Sequence, residues 1–185
     1  MSRIAGLLLA AGAGRRFGMP KALADTGEGP WVLTALRVLA DCDQRIVVVG
    51  AAGDEVTALL PTDVIVVRNP DHASGMASSL RAGLAAVADD VDAVLVTLVD
   101  LPDVTAAVAV RVLAAAGHEP RRALARAVFD GRPGHPVLIG HDHLAGVLAS
   151  LTTPDAGAGG YLTAHAATAV DCADLADGGD QDTTE

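Results

Sequence analysis

The residues with most chemical potential lie near the start of the chain, in Gly12-Ala13-Gly14-Arg15-Arg16-Phe17-Gly18-Met19-Pro20-Lys21. Small residues let backbone N–H groups approach an anion closely, and the two arginines and the lysine supply neutralising charge. The apolar run Ile4 to Leu9 in front of this loop reads as a fully buried strand. A triphosphate is the guest such a loop suits. Spacing argues against two familiar glycine-rich loops. A Walker loop needs Gly-Lys-Ser/Thr, whereas Lys21 stands between Pro20 and Ala22. The dinucleotide fingerprint needs a third glycine where Phe17 stands, and no helical pattern resumes before Pro30.

A second candidate is Asp100, which ends the apolar run Val94 to Val99. A carboxylate there is costly to desolvate unless paired or metal-bound. Magnesium takes one or two carboxylates and completes its shell with phosphate oxygens and water, so it suits the position. On residue types alone, Asp100 equally well begins a turn before Pro102. A third is Asn69–Ser79, in which Gly75 precedes a helical pattern whose first turn carries Ser78 and Ser79. Helix N-termini favour anions, although capping by Ser74 explains the same residues. A fourth is Gly131-Arg132-Pro133-Gly134-His135-Pro136, read as a turn between strands, with His135 a ligand contact or a structural hydrogen-bonder. Last comes the acidic end from Asp174, with Asp180 and Asp182, whose composition suits a solvated tail.

The elements that must position these residues alternate buried strands with amphipathic helices, the grammar of a parallel α/β sheet. Strands are expected at Arg3–Leu9, Arg45–Val49, Val64–Val67, Ala93–Val99, Arg122–Phe129, Pro136–Ile139 and Thr168–Cys172. Helices are expected at Trp31–Ala40 with Pro30 at the first helical position, Asp54–Leu60, Gly75–Ala88 and Val104–Ala116, with two more at Asp142–Ser150 and Gly160–Ala167. Met76, Leu80, Leu84 and Val87 share one face of the 75–88 segment, and Asp103 is placed to cap the 104–116 segment. The organisation is one α/β domain over 1–173, three-layered with a mostly parallel sheet, followed by an acidic tail over 174–185. In open α/β sheets ligands bind beyond the carboxyl ends of the strands, which is where the first loop, Asn69–Ser79 and Asp100 all fall.

The stretch Leu9-Ala10-Ala11-Gly12-x-Gly14-x-Arg16-Phe17-Gly18-x-x-Lys21 resembles the signature of nucleotidyltransferases with a MobA-like, Rossmann-like fold. The resemblance implies transfer of a nucleoside monophosphate from a nucleoside triphosphate with release of pyrophosphate, dependent on Mg2+. It implies nucleotide contacts from Leu9, Ala10, Ala11, Gly12, Ala13, Gly14, Arg16, Lys21, Gly75, Ser78, Ser79 and Asp100, with Met76 beside them, and catalytic roles for Arg16, Lys21 and Asp100. Asp100 matches the family's metal-binding aspartate, in a similar Asp-x-Pro context. Asp180 matches the first acidic position of a terminal Asp-x-Asp-Thr-Pro-Glu-Asp motif, implying a second metal ligand, although Thr184 replaces the proline.

The Gly-x-x-Gly-His-Pro pattern is similar to the acceptor-side motif of the molybdenum cofactor cytidylyltransferase branch, implying acceptor contacts at Pro102, Gly134 and His135. The Ala10-Ala11-Gly12 form resembles the CTP-using members. A molybdopterin-type acceptor and a molybdenum hydroxylase as eventual recipient follow by the same resemblance. One departure is plain: Pro154-Asp155-Ala156-Gly157-Ala158-Gly159 replaces Gly-Asp-x-Gly-Ala-Arg, losing a glycine and a positive charge. It leaves open another phosphorylated acceptor, such as a sugar phosphate or phospholactate, and a non-catalytic molybdopterin-binding maturation factor.

Composition bounds the rest. The formal charge is −10, which argues against a nucleic-acid surface and makes the basic first loop a local exception. Apolar residues make up 51% with only four aromatic residues, so the core must be built of Ala, Val and Leu. No apolar run has the roughly 20 residues a membrane span needs, and the N-terminal run lacks a secretory pattern, so a cytoplasmic location is expected. Cys42 and Cys172 have no metal-ligand spacing and are read as inert thiols.

Overall fold

The computed structural model describes residues 2–181 as a seven-stranded sheet with helices on both faces. Its strands are β1 (Ile4–Ala10), β2 (Gln44–Val49), β3 (Ile65–Arg68), β4 (Ala93–Leu98), β5 (Leu124–Phe129), β6 (Arg132–Gly140) and β7 (Thr168–Asp171). Its helices are α1 (Trp31–Arg37), α2 (Gly53–Leu59), α3 (Met76–Leu84), α4 (Ala106–Ala114), α5 (His141–Ser150) and α6 (Gly159–Ala164). The spatial order is β3-β2-β1-β4-β6-β5-β7. β1 pairs in parallel with both β2 and β4, and β6 runs antiparallel to both β4 and β5. The expected three-layer, mostly parallel α/β domain is therefore what the chain forms. No described helix is long and apolar enough to cross a membrane.

The central strands are apolar on both faces because both faces are covered. Leu8, Val47 and Leu95 point into one core with Trp31, Val32 and Val108; Leu7, Ile46, Val48 and Val94 point into the other with Leu80, Val147 and Leu162. Side chains alternate along each strand, so each central strand feeds both cores.

Several boundaries move for identifiable reasons. Pro30 is the residue before α1 rather than its first, and regular α-helix ends at Arg37, followed by tighter turns through Leu39 and Ala40. The hairpin between β5 and β6 turns on Asp130 and Gly131, both at positive φ (49° and 77°), a two-residue turn whose twist matches its strands. β6 consequently begins at Arg132, so Gly134 and His135 lie on a strand and not in a turn. α4 begins at Ala106 after Thr105, and Asp103 does not cap it. Its carboxylate instead accepts the backbone N–H groups of Asp177 and Gly178, at 2.7 and 3.0 Å. Met76 is 41% exposed, whereas the buried face of α3 is Ala77, Ser79, Leu80, Gly83 and Leu84.

The acidic end is held against the domain as far as it is described. Asp174 pairs with Arg111, Leu175 and Ala176 pack on the core, and the Gln181 N–H donates to the Asp100 carbonyl at 3.0 Å. Asp182 lies outside the described residues.

One glycine shows how tightly the strand ends are assembled. A Cβ on Gly50, just past β2, would sit 2.5 Å from the His72 Cβ and 2.7 Å from the Ala11 carbonyl oxygen. Backbone cannot yield cheaply, so Gly50→Ala is expected to destabilise the fold by about 1–3 kcal/mol, read as a lowered urea midpoint at unchanged slope.

Candidate active site

β1 and β4 lie side by side in parallel, with Leu9 opposite Leu98, so the loop leaving β1 and the carboxylate following β4 emerge together. Between them and the segment after β3 lies a cleft of about 440 Å³. Gly12, Ala13, Gly14, Arg15, Arg16, Phe17 and Lys21 form one wall; His72, Ala73, Gly75, Met76 and Ser79 form another; Leu98, Val99 and Asp100 form the floor.

The loop after β1 has a fixed shape. Gly14 adopts φ +57° and its carbonyl accepts the Gly18 N–H at 2.9 Å. A side chain at Gly14 would strike the backbone of Met19, so the close turn requires glycine there. Phe17 turns inward and packs on Trp31, with ring centroids 5.1 Å apart. With Phe17 anchored, Arg15 and Arg16 stay exposed at the cleft. Lys21 opens a short 3-10 turn, and its ammonium donates to Asp100 Oδ2 at 2.8 Å. Both side chains are largely buried (13% and 21% exposed), which strengthens their attraction over that of a surface pair.

The opposite wall is built around Asn69. Its amide nitrogen donates to the Ser78 and Ser79 hydroxyls at 2.8 and 3.0 Å, and its side-chain oxygen accepts the Asp71 N–H. Asn69 is buried, so these bonds satisfy an amide that would be expensive to leave unpaired. The two serines differ. Ser79 faces the cleft, whereas Ser78 lies off its walls and donates to the carbonyls of Gly75 and Asp71. The first turn of α3 is also less open than its sequence implies, because the Ala77 N–H donates to the Pro154 carbonyl at 2.9 Å. The departure segment 154–159 thus packs on the start of α3, with Gly157 beside Met76.

Of the sequence-predicted nucleotide residues, Leu9, Ala11, Gly12, Ala13, Gly14, Arg16, Lys21, Gly75, Ser79 and Asp100 come together on the cleft walls. Ala10 and Ser78 do not. The predicted acceptor residues Pro102, Gly134 and His135 also lie off those walls. His135 sits near Asp100: burial pushes its imidazole down to about 4, while the Asp100 carboxylate partly opposes that effect. Asp180 is exposed, one residue before the amide that docks on Asp100. His72, Ala73, Leu98 and Val99 are wall residues that motif matching did not single out; position beside Asn69 and Asp100 was the available signal.

No cluster of three or more His, Cys, Asp or Glu side chains suited to a metal ion exists among the described residues. The Asp100 carboxylate, in a cleft that Arg15, Arg16 and Lys21 make attractive to anions, does fit a hard divalent cation that shares its shell with phosphate oxygens. Cys42 and Cys172 are absent from the cleft walls, and burial with neighbouring Asp43 and Asp41 pushes the Cys42 thiol up to about 12.

The depressed His135 pKa makes stability pH-dependent. The native state resists a proton that the unfolded chain accepts below about 6.5, so this stability is present at neutral pH and lost as pH falls towards 4. Between pH 7 and pH 5 wild type should lose on the order of 2 kcal/mol more unfolding free energy than His135→Gln, measured by urea titration at each pH. Cys42 should resist iodoacetamide at pH 8 in the native state and react once the chain is unfolded.

Comparison with known proteins agrees with this architecture. The chain is 36% identical over 197 residues to nicotine blue oxidoreductase from Paenarthrobacter nicotinovorans, covering 98% of this chain and 93% of that protein. The crystal structure of the Rv0371c homologue from Mycobacterium sp. strain JC1 shares the fold, with a TM-score of 0.79 at 23% identity, covering 98% and 91% of the two chains. Rv0371c from Mycobacterium tuberculosis H37Rv, solved in complex with manganese, aligns with a TM-score of 0.68 at 26% identity, covering 92% and 90%. Residues 6–169 match the MobA-like NTP transferase domain, and the chain belongs to that nucleotidyltransferase family.

Proposed function

We propose that this nucleotidyltransferase moves a cytidine monophosphate group from CTP to a phosphorylated acceptor, a molybdenum-bearing molybdopterin, releasing pyrophosphate. The observation that carries the reading is the meeting of Lys21 and Asp100, 2.8 Å apart, at the floor of a cleft walled by Gly12–Gly14 and Arg16. In this scheme the triphosphate lies along the loop, where backbone N–H groups and Arg16 offset its charge. Lys21 neutralises the charge that gathers as the leaving pyrophosphate separates. Asp100, with Asp180 from the docked end, would hold Mg2+, which when bound offsets charge on the reacting phosphates. His135, neutral near pH 7, offers the acceptor a hydrogen-bonding group without a competing charge.

The reacting groups set what else is required. An acceptor phosphate oxygen bonds to the α-phosphorus as the α–β phosphoanhydride bond breaks. A phosphate monoester has a second pKa of about 6, so it is ionised at neutral pH and needs no general base. Alignment and charge neutralisation then supply the rate. A cytoplasmic location belongs to the same proposal.

A second reading is favoured by one observation: the 36% identical relative, matched over nearly its whole length, is an oxidoreductase by name. In that reading the same anion-binding loop carries the pyrophosphate of a redox dinucleotide. Pyrophosphate release with CTP, GTP, ATP or UTP, Mg2+ and loaded molybdopterin separates the two. CTP-specific release that requires the acceptor is the expected result. No release, with oxidation of a reduced nicotinamide dinucleotide instead, would favour the redox reading. Lys21→Ala and Asp100→Ala should each lower kcat/KM for transfer by about a hundredfold or more. Transfer unchanged in Asp100→Ala would remove the metal assignment.

A further inference from the structure

We infer that Asp103 is a positioning residue, which straps the chain segment 174–181 across the domain so that Asp180 and Gln181 come to rest beside Asp100. The inference rests on the transfer reading above for its catalytic meaning, and on geometry for the strap itself. Asp103 lies three residues after Asp100, on the loop between β4 and α4. Oδ2 of its carboxylate accepts two consecutive backbone N–H groups, from Asp177 and Gly178. Oδ1 is buried without a hydrogen-bond partner among the described residues. A carboxylate so placed sheds water for the sake of the strap, since α4 does not use it as a cap.

The strap has two further fixed points before it reaches the site. Arg111 of α4 holds Asp174 by a two-pronged pair and also donates to the Asp171 carbonyl at 3.1 Å. Gly178 then crosses Phe129 at φ +65°, where any side chain would run into the aromatic ring. The same ring underlies Gly134, whose Cβ would come within 2.8 Å of it. Phe129 therefore seats the strap directly beside the strand that carries His135. Past these points the Gln181 N–H reaches the Asp100 carbonyl. The main chain of Asp180 is thereby tied to the residue proposed to hold the metal, and the tie depends on Asp103.

The test uses the full chain with Asp103→Ala, Asp103→Asn and Gly178→Ala. Amide hydrogen exchange of Gln181 reads the strap, and titration with Mn2+ alone reads the metal site; neither requires turnover. Asp103→Ala should speed Gln181 exchange about tenfold or more and weaken Mn2+ binding by about tenfold, with β4 and α4 amides unchanged. In transfer assays the metal concentration for half-maximal rate should rise by a similar factor while kcat at saturating metal changes little. Asp103→Asn keeps an acceptor oxygen and should restore most of the loss. Gly178→Ala attacks the strap at a different contact and should reproduce the Asp103→Ala result. Unchanged Gln181 exchange in both Asp103→Ala and Gly178→Ala would overturn the strap. Faster exchange with unchanged Mn2+ affinity would overturn its positioning role. Failure of the transfer reading would appear separately, as wild type that binds Mn2+ and protects Gln181 yet releases no pyrophosphate.

Discussion

Parallel pairing of β1 with β4 is the constraint on which the cleft depends. Strand order turns at this pair, since β2 and β3 continue from one side of β1 while β4 opens the other side. The connecting segments leave in opposite directions, and the crevice this creates at the strand ends is where α/β proteins place ligands. Because Leu9 stands opposite Leu98, the chain is released into loops at the same height on both strands. Lys21 and Asp100 are then brought within ion-pairing distance although 79 positions apart in the chain. A one-residue slip would reverse every side chain on β1 between the two cores, so packing on both faces defends the register.

The half of the sheet beyond β4 is built differently. β6 enters antiparallel, and the tight turn at Asp130 and Gly131 returns the chain so that β5 and β7 extend the edge. This half carries His135 on β6 and seats the acidic end against Phe129 and Asp103. The residues proposed to meet nucleotide and acceptor thus come from opposite halves of the sheet, with Asp100 at their seam.

Much of this was readable from residue order. The apolar runs of β1, β2 and β4 identify themselves because strands buried on both faces need no alternation. The loop from Gly12 to Lys21 declares its chemistry by small residues and charge, and the cleft gathers most of it. What escaped sequence reasoning was decided by partners far along the chain. Asp103 has the local spacing of a helix cap, but backbone N–H groups more than seventy positions away claim its carboxylate. Ser78 and Ser79 are indistinguishable in a linear motif; helix geometry sends one towards Asp71 and Gly75 and the other to the cleft. Met76 has the period of a core residue but precedes the point where α3 meets the sheet, so it stays exposed. β6 starts ahead of its apolar run because a two-residue turn lets pairing begin immediately after Gly131.

The scarcity of aromatic residues gives Trp31 an unusual standing. It is the chain's one tryptophan, almost fully buried, with its indole N–H directed to the Thr26 hydroxyl at 3.3 Å and its ring against Phe17. Phe17 belongs to the same loop as Gly14 and Arg16. Tryptophan emission from this protein therefore originates beside the loop that follows β1, with no second indole to dilute it. The molecule carries a native optical reporter of whether that loop is ordered.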